Sequence, residues 1–362
     1  MIDLFYDFYR NKRVLVTGHT GFKGSWLSIW LKELGAEVYG VSLEPYSNKE
    51  NFCLSGLAEK ICADIRADIR DISTMNELFD KIQPEIVFHL AAQPIVLHSY
   101  EYPVETYETN VMGTINVMEA IRHTSSVKVG IMVTSDKCYE NSIAGVCHTE
   151  CDPMGGYDPY SSSKGACEIA IQSWRQSYFN PQKYYEHRKS IASVRSGNVI
   201  GGGDWAKDRL IPDCARAIEA NKYINIRSPR SVRPWGFILD TLYGYLLLAK
   251  KMWEAPTSYC ESWNFGPSRY SVFSTWDIAS KFCNAMGMGN LRKTETQSQL
   301  FESPLLLIDA TKAKERLGWY PLPDIDLGIF LVADWYRKYQ KKDVYELCVS
   351  EIEQYISFRG II

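Results

Sequence analysis

Apolar positions along this chain come in short continuous runs separated by longer amphipathic stretches. Arg13-Val14-Leu15-Val16-Thr17 reads as a buried strand, and Gly18 opens a turn into a helix with Leu27, Leu31 and Leu34 on one side. A second strand is predicted over Glu37 to Leu43, a third short one before Asp64 or Asp68, a helix over Met75 to Ile82, and a fourth strand over Glu85 to Leu90. A long helical pattern from Val104 to Arg122 leads into an apolar strand over Lys128 to Thr134, and Ile191 to Arg195 looks like another strand. Strands and helices alternating in this way predict an α/β chain with a doubly wound parallel sheet. Beyond about residue 200 the rhythm changes. Gly201-Gly202-Gly203, several prolines and many aromatics separate shorter elements such as Asn225-Ile226-Arg227 and Trp263-Asn264-Phe265, which read as parts of a smaller mixed α/β lobe.

Composition narrows the function classes. A chain of 362 residues, 46% hydrophobic and 23% charged, can bury a large core without covalent staples. A formal net charge of −3 offers no basic footprint for nucleic acid or an anionic membrane surface. Ten cysteines are scattered from Cys53 to Cys348 without a Cys-x-x-Cys pair, as expected of reduced thiols. Cys147, His148 and Cys151 fall short of the four ligands of a structural zinc site, so no metal is expected. The leader from Met1 to Arg13 is aromatic and mixed in charge, and no run reaches the roughly 20 apolar residues of a membrane span, so a cytoplasmic protein is expected.

Gly18, Gly21 and Gly24 follow the first strand and open the first helix. Glycines there permit a tight turn and a close backbone approach, so that the positive helix N-terminus can meet a pyrophosphate. Packing alone could also place them. With the alternating pattern around them they predict a Rossmann-type sheet, with residues 1–190 as an NAD-binding domain. Residues 191–362 are then mainly a substrate-binding lobe, with some segments returning to the first domain. The second strand ends at Ser42, with Glu44 just beyond, where an acidic residue usually binds the adenosine ribose. No arginine lies close in sequence to hold a 2′-phosphate, the only nearby cation being Lys23, and NAD is expected rather than NADP.

Tyr160 and Lys164 stand four residues apart behind Asp158-Pro159, a natural cap and first helical position. They therefore share one helix face, where an ammonium would pull a phenol from its usual pKa of about 10 toward neutrality. Thr134-Ser135-Asp136-Lys137 brings a hydroxyl, an acid and an amine to the C-terminal end of a strand, where open α/β sheets bind ligands. Each segment alone could be an ordinary polar surface.

Taken in order, the motifs resemble the extended short-chain dehydrogenase/reductase family across nearly the whole chain. They are Gly18-His19-Thr20-Gly21-Phe22-Lys23-Gly24, Asp68-Ile69-Arg70-Asp71, His89-Leu90-Ala91-Ala92-Gln93, Asn110 with Gly113-Thr114, Tyr160 to Lys164, and Arg233-Pro234-Trp235. Within that family Ser135-Asp136-Lys137 is similar to the signature of sugar-nucleotide 4,6-dehydratases.

The resemblance implies that Gly18, Gly21 and Gly24 face the pyrophosphate of NAD, with Thr20, Phe22 and Lys23 of the same turn also binding the cofactor. Asp68 and Ile69 would meet its adenine, and Leu90, Ala91 and Ala92 its ribose and phosphate region. Tyr160 and Lys164 would be the redox pair, and Ser135, Asp136 and Lys137 the remaining catalytic groups. Gln93, Asn198, Arg209 and Arg233 would hold the substrate, implied to be CDP-glucose, although each arginine could instead form a surface ion pair. Where better known relatives carry a glutamate as the C5 base, this chain has Lys137, which must act as a free amine or else only orient the substrate. A nucleotide-sugar 4-epimerase and a non-catalytic NAD sensor are the alternatives. A homodimer is implied through the helices Val104 to Arg122 and Tyr157 to Tyr178, with Val111, Val117 and Ile171 serving either that interface or the core.

Overall fold

The computed structural model describes residues 5–140, 145–267, 271–294 and 305–360, and it gathers the apolar runs into one parallel sheet. Its strands in chain order are β1 (Arg13–Thr17), β2 (Glu37–Ser42), β3 (Ala63–Arg66), β4 (Ile86–His89), β5 (Val129–Val133), β6 (Ser190–Arg195) and β7 (Ser262–Asn264). Across the seven-stranded sheet the order is β7-β6-β5-β4-β1-β2-β3. The order reverses between β1 and β4, the switch point at which such sheets hold ligands.

Helices cover both faces, which is why the strands are apolar throughout rather than alternating. Val14, Val16, Ile86, Phe88, Val129 and Ile131 point to one side, against α1 (Phe22–Glu33), α5 (Ile238–Glu254) and α6 (Val344–Phe358). Leu15, Val87, Met132 and Ile191 point to the other, against α2 (Ile72–Ile82), α3 (Gly113–His123) and α4 (Pro159–Ser177).

The helical run expected from Val104 to Arg122 forms as a short helix Pro103–Tyr107, a wide π-type turn Glu108–Met112, and α3. The wide turn carries Asn110, whose side chain accepts from the Gln93 backbone amide at 2.8 Å and donates to Ser163 Oγ at 2.9 Å. Val117 and Ile171 are fully buried core residues, whereas Val104, Met112, Tyr157 and Ile169 are exposed on this side of the molecule. Of the leader, residues 1–4 lie outside those described. Phe5 and Tyr9 are buried, and the Tyr9 hydroxyl donates to the Leu246 carbonyl of α5 at 2.7 Å.

The smaller lobe is built on a three-stranded sheet of Asn198–Ile200, Val232–Phe237 and Val272–Ser274, with helices Leu210–Glu219, Thr275–Met286 and Ile325–Lys338 beside it. Trp263-Asn264-Phe265 does not belong there. Ser262–Asn264 is β7, paired in parallel with β6 across the first part of the lobe. A three-residue strand whose partner lies about seventy residues upstream leaves no local pattern to read. Residues 191–362 thus also supply β6, α5, β7 and α6 to the sheet layer, and one apolar core runs from that layer into the lobe. Among the described residues no helix is long and apolar enough to cross a membrane, no cluster of metal-ligating side chains occurs, and all ten cysteines are free.

Glu351 of α6 is 3% exposed, and its Oε1 has no partner among the described residues. Burial, assisted by the charge of Asp334, pushes its carboxyl up to about 8. Between the ordinary carboxylate range and that value the folded state holds a proton that the unfolded chain releases, so stability falls as pH rises through this window. Glu351→Gln is expected to remove that slope, up to ~1.4 kcal/mol per pH unit, and to leave the variant more stable than the parent at pH 8. Urea unfolding at pH 5 and pH 8 measures it.

Candidate active site

Parallel registration brings the ends of β1, β4 and β5 together, with Thr17 opposite His89 and Val133 one residue beyond His89's partner Met132. A buried polar clip fixes these ends. Thr17 Oγ1 lies 2.7 Å from His89 Nδ1, and His89 Nε2 lies 3.0 Å from Thr114 Oγ1. Burial, reinforced by the charge of Lys164, pulls His89 down to about 3, so the imidazole stays neutral and serves as a tie rather than an acid.

The glycine turn follows from close packing at this edge. Gly18 sits at φ +76°, and a Cβ there would lie 2.7 Å from the Ala91 amide nitrogen. A Cβ on Gly24 would overlap the Gly18 carbonyl oxygen. Gly21 caps α1 without any side-chain hydrogen bond, and no acidic residue stands in the first helical turn. The amides at this N-terminus are therefore open to an anionic group, and the cradle fits a dinucleotide pyrophosphate.

The turn forms one end of a continuous cleft of about 1390 Å³. Gly18, Thr20, Gly21, Phe22, Lys23, Gly24, Asp68, Ile69, Leu90, Ala91 and Ala92 all line it, together with Ser42 and Glu44. Thr20 Oγ1 is 2.7 Å from Ser42 Oγ, which fixes the turn against the end of β2. Asp68 holds Arg70, with Nε 2.9 Å from Oδ2. Although no arginine is near Ser42 in sequence, β2–β3 pairing sets Arg66 directly opposite it. Lys23 reaches across the cleft to Ser196 Oγ at 2.9 Å, and burial, followed by repulsion from Arg209, brings its ammonium down to about 8.

Ser135, Asp136, Lys137, Tyr160 and Lys164 line the middle of the same cleft. Ser135 Oγ donates to Asp136 Oδ1 at 3.0 Å and accepts from the Lys137 amide at 3.2 Å, so the three residues form a tight turn on the end of β5. Lys137 is half-buried, and its ammonium has no hydrogen-bond or ion-pair partner among the described residues. Helix α4 starts where the sequence places it, the Asp158 carboxylate accepting from the Ser161 amide at 2.9 Å. The phenol of Tyr160 is not drawn toward neutrality. Burial pushes it up to about 12 against the opposing Ser135 hydroxyl, and burial also lowers Lys164.

From the lobe side Asn198, Arg209 and Arg233 line the cleft. Arg209 is half-buried, with NH1 3.0 Å from the Asp204 carboxylate, and Arg233 donates to the Val232 carbonyl at 2.9 Å. Gln93 is the exception. It is buried, donates to Thr106 Oγ1 at 2.9 Å and accepts from the Ile95 amide, so it shapes the loop after β4 and does not line the cleft. Sequence reasoning missed Glu50, Ser196, Asp204 and Arg227 on the cleft wall. Only Asp204, five residues before Arg209, left a signal that could have been read.

Beneath the site lies a buried ion pair. Glu168 of α4 and Arg195 of β6 are each 3% exposed and meet at 2.7 Å. Glu168 also accepts from Thr134 Oγ1 and, at 2.7 Å, from Ser193 Oγ, while Arg195 donates to the Tyr139 hydroxyl at 2.6 Å.

The family model for GDP-mannose 4,6 dehydratase matches residues 15–329. The chain is 42% identical over 352 residues to a CDP-glucose 4,6-dehydratase of Salmonella typhimurium, covering 97% of this chain and 98% of that protein. It is 30% identical to the human dTDP-D-glucose 4,6-dehydratase, covering 90% of each. Among solved structures its fold is similar to that of a UDP-glucose 4-epimerase from Thermotoga maritima, with a TM-score of 0.75 and 23% identity over 91% of this chain and 99% of that one. A dTDP-glucose 4,6-dehydratase from Streptomyces venezuelae, solved with NAD bound, also gives a TM-score of 0.75, at 21% identity over 90% of this chain and 97% of that one.

Gly24→Ala should displace the turn and weaken dinucleotide binding by at least ~tenfold while far-ultraviolet circular dichroism stays unchanged, as an NAD titration would show. Arg195→Met, which strands the Glu168 charge, is expected to cost ~3–5 kcal/mol in a urea melt.

Proposed function

The chain belongs to the GDP-mannose 4,6-dehydratase family of extended short-chain dehydrogenases/reductases, and we propose that within it this protein removes water from CDP-glucose to give CDP-4-keto-6-deoxyglucose. It is an NAD-dependent hydro-lyase acting on a nucleotide-linked sugar. One observation carries the reading. The glycine turn, Tyr160 and the acid–amine pair Asp136-Lys137 line a single cleft with three polar residues of the lobe opposite. The CDP assignment draws support from the near full-length likeness to the Salmonella enzyme.

Gly18, Gly21 and Gly24 would hold NAD, which when bound would supply the hydride acceptor for C4 oxidation and the hydride returned to C6. Tyr160 takes the proton of the C4 hydroxyl, with Lys164 one helical turn away on the same face of α4, and the Ser135 hydroxyl, which opposes the burial that raises the phenol, steadies the sugar oxygen. The resulting C4 ketone acidifies C5. Lys137, acting as the free amine, removes the C5 proton, and Asp136 protonates the C6 hydroxyl as it leaves. Arg209 and Arg233 offer forked donors to the substrate diphosphate, and Asn198 adds a neutral donor beside them. An epimerase needs no acid to expel the C6 hydroxyl, so Asp136-Lys137 favours dehydration. The exposed Val104, Met112, Tyr157 and Ile169 support a homodimer through the helices around α3 and α4.

Incubation with CDP-glucose and catalytic NAD, followed by mass spectrometry, is expected to show loss of one water without accumulation of NADH. The same loss from dTDP-glucose, GDP-mannose or UDP-glucose instead would discard CDP, and no loss from any of them would discard dehydration. Tyr160→Phe should lower kcat by ~10²–10⁴-fold. Lys137→Ala should still permit partial NAD reduction at 340 nm but block water loss, and undiminished dehydration would remove its role as base.

A further inference from the structure

Dehydration takes one proton from the C4 hydroxyl and gives one to the departing C6 hydroxyl, so each turnover leaves Tyr160 with a proton too many and Asp136 with one too few. The Ser135 hydroxyl stands between these two side chains. It donates to Asp136 Oδ1 at 3.0 Å and accepts from the Lys137 amide at 3.2 Å, and it is also a side-chain hydrogen-bond partner of the Tyr160 phenol. A hydroxyl has one proton and two lone pairs, so with its proton on Asp136 and one lone pair on the Lys137 amide, the second lone pair is left for the phenol. Close packing confines the other carboxylate oxygen, because a Cβ on Gly197 would stand 2.9 Å from Oδ2. Tyr160, Ser135 and Asp136 are 7%, 7% and 5% exposed, so little water competes for these bonds.

Burial keeps the phenol protonated, pushed up to about 12, so it can accept the C4 proton only by giving up its own. Asp136 accepts from Ser135 and must gain a proton before it can give one. One transfer meets both needs. We propose that Ser135 relays a proton from Tyr160 to Asp136 while C4 is oxidised, so that the oxidation step loads the acid that the elimination step discharges. As the hydride leaves C4 with the electrons of its C–H bond, the C4 hydroxyl proton moves to the Tyr160 oxygen and the electrons of that O–H bond complete the ketone. The phenol proton moves to Ser135 Oγ, and the Ser135 proton moves to Asp136 Oδ1, which leaves phenol and serine unchanged and Asp136 a carboxylic acid. Asp136 then protonates the departing C6 hydroxyl and returns to the carboxylate, while Lys137 takes the C5 proton and gives it back as hydride reaches C6. No proton is exchanged with solvent. The rival exit runs from the phenol through the buried Lys164 to solvent. The relay rests on the dehydratase reading.

Lys137→Ala isolates the transfer, because it stops the reaction after oxidation. With CDP-glucose and NAD⁺ in weak buffer, stopped-flow absorbance counts the NADH formed and a pH-indicator dye counts the protons released with it. Lys137→Ala is expected to release no proton as NADH forms. Adding Asp136→Asn, which cannot take the proton, should release one proton per NADH, and so should adding Ser135→Ala, which cuts the relay. Adding Ser135→Thr instead, which keeps a hydroxyl, should again release none. A merely structural role for Ser135 would change the rate of NADH formation and not the number of protons released with it. One proton per NADH in Lys137→Ala itself, or none after Asp136→Asn or Ser135→Ala is added, overturns the relay and leaves dehydration standing. No NADH from any nucleotide sugar overturns the dehydratase reading instead.

Discussion

Two opposite charges lie under the cleft with almost no contact with water, and the geometry above them depends on their meeting. Glu168 comes from the helix that carries Tyr160 and Lys164, and Arg195 from the strand beside β5. Burial alone would raise the Glu168 carboxyl; the Arg195 charge, together with donors from Arg195, Thr134 and Ser193, instead holds it below the ordinary carboxylate range. The acid is spaced four residues after Lys164, so it stands on the same face of α4 as both members of the redox pair. Through Thr134 it grips the residue immediately before Ser135. The helix bearing the phenol and the strand end bearing the acid–amine pair are therefore tied through one carboxylate. A buried pair of this kind contributes little net stability compared with apolar packing, and its value is that it allows one arrangement and penalises the others.

Chemistry in the cleft follows from how unlike charges are divided there. Lys164 is buried and Lys23 half-buried, and desolvation lowers both, so this end of the cleft is cationic but poorly solvated. Asp136 sits among them, its side chain accepting from the neutral Ser135 hydroxyl. Arg209 faces the same space from the lobe, restrained by Asp204. A diphosphate sugar brings two negative charges into this field, which suits binding of the ground state. An acid beside an amine, at the end of β5, then suits an elimination in which one group gives a proton and the other takes one.

His89 illustrates a different use of burial. Its ring lies between two threonine hydroxyls and is held neutral by burial, so it ties the ends of β1 and β4 to helix α3. Asn110 in the wide turn before α3 plays a matching part on the other side, holding the loop after β4 and helix α4 at once. Neither residue touches the cleft directly. Together they keep the backbone from Leu90 to Ala92 open toward it.

Much of this was legible before any coordinates. Parallel strands buried on both faces must be continuous apolar runs, so β1, β2, β4 and β5 announced themselves, and the glycine turn, the Asp158 cap and the Tyr160–Lys164 spacing are local features that local sequence determines. Tertiary structure alone decided what depends on distant partners. It paired Ser262–Asn264 with β6 about seventy residues upstream, set Arg66 opposite Ser42 through strand register, and buried Gln93 within its own loop. It also set the phenol of Tyr160, because a pKa answers to the whole environment and desolvation outweighed the Ser135 hydroxyl and the Arg209 charge. Periodicity reports the neighbours a residue has along the chain. Burial, register and charge pairing report the neighbours it acquires when segments far apart close on one another.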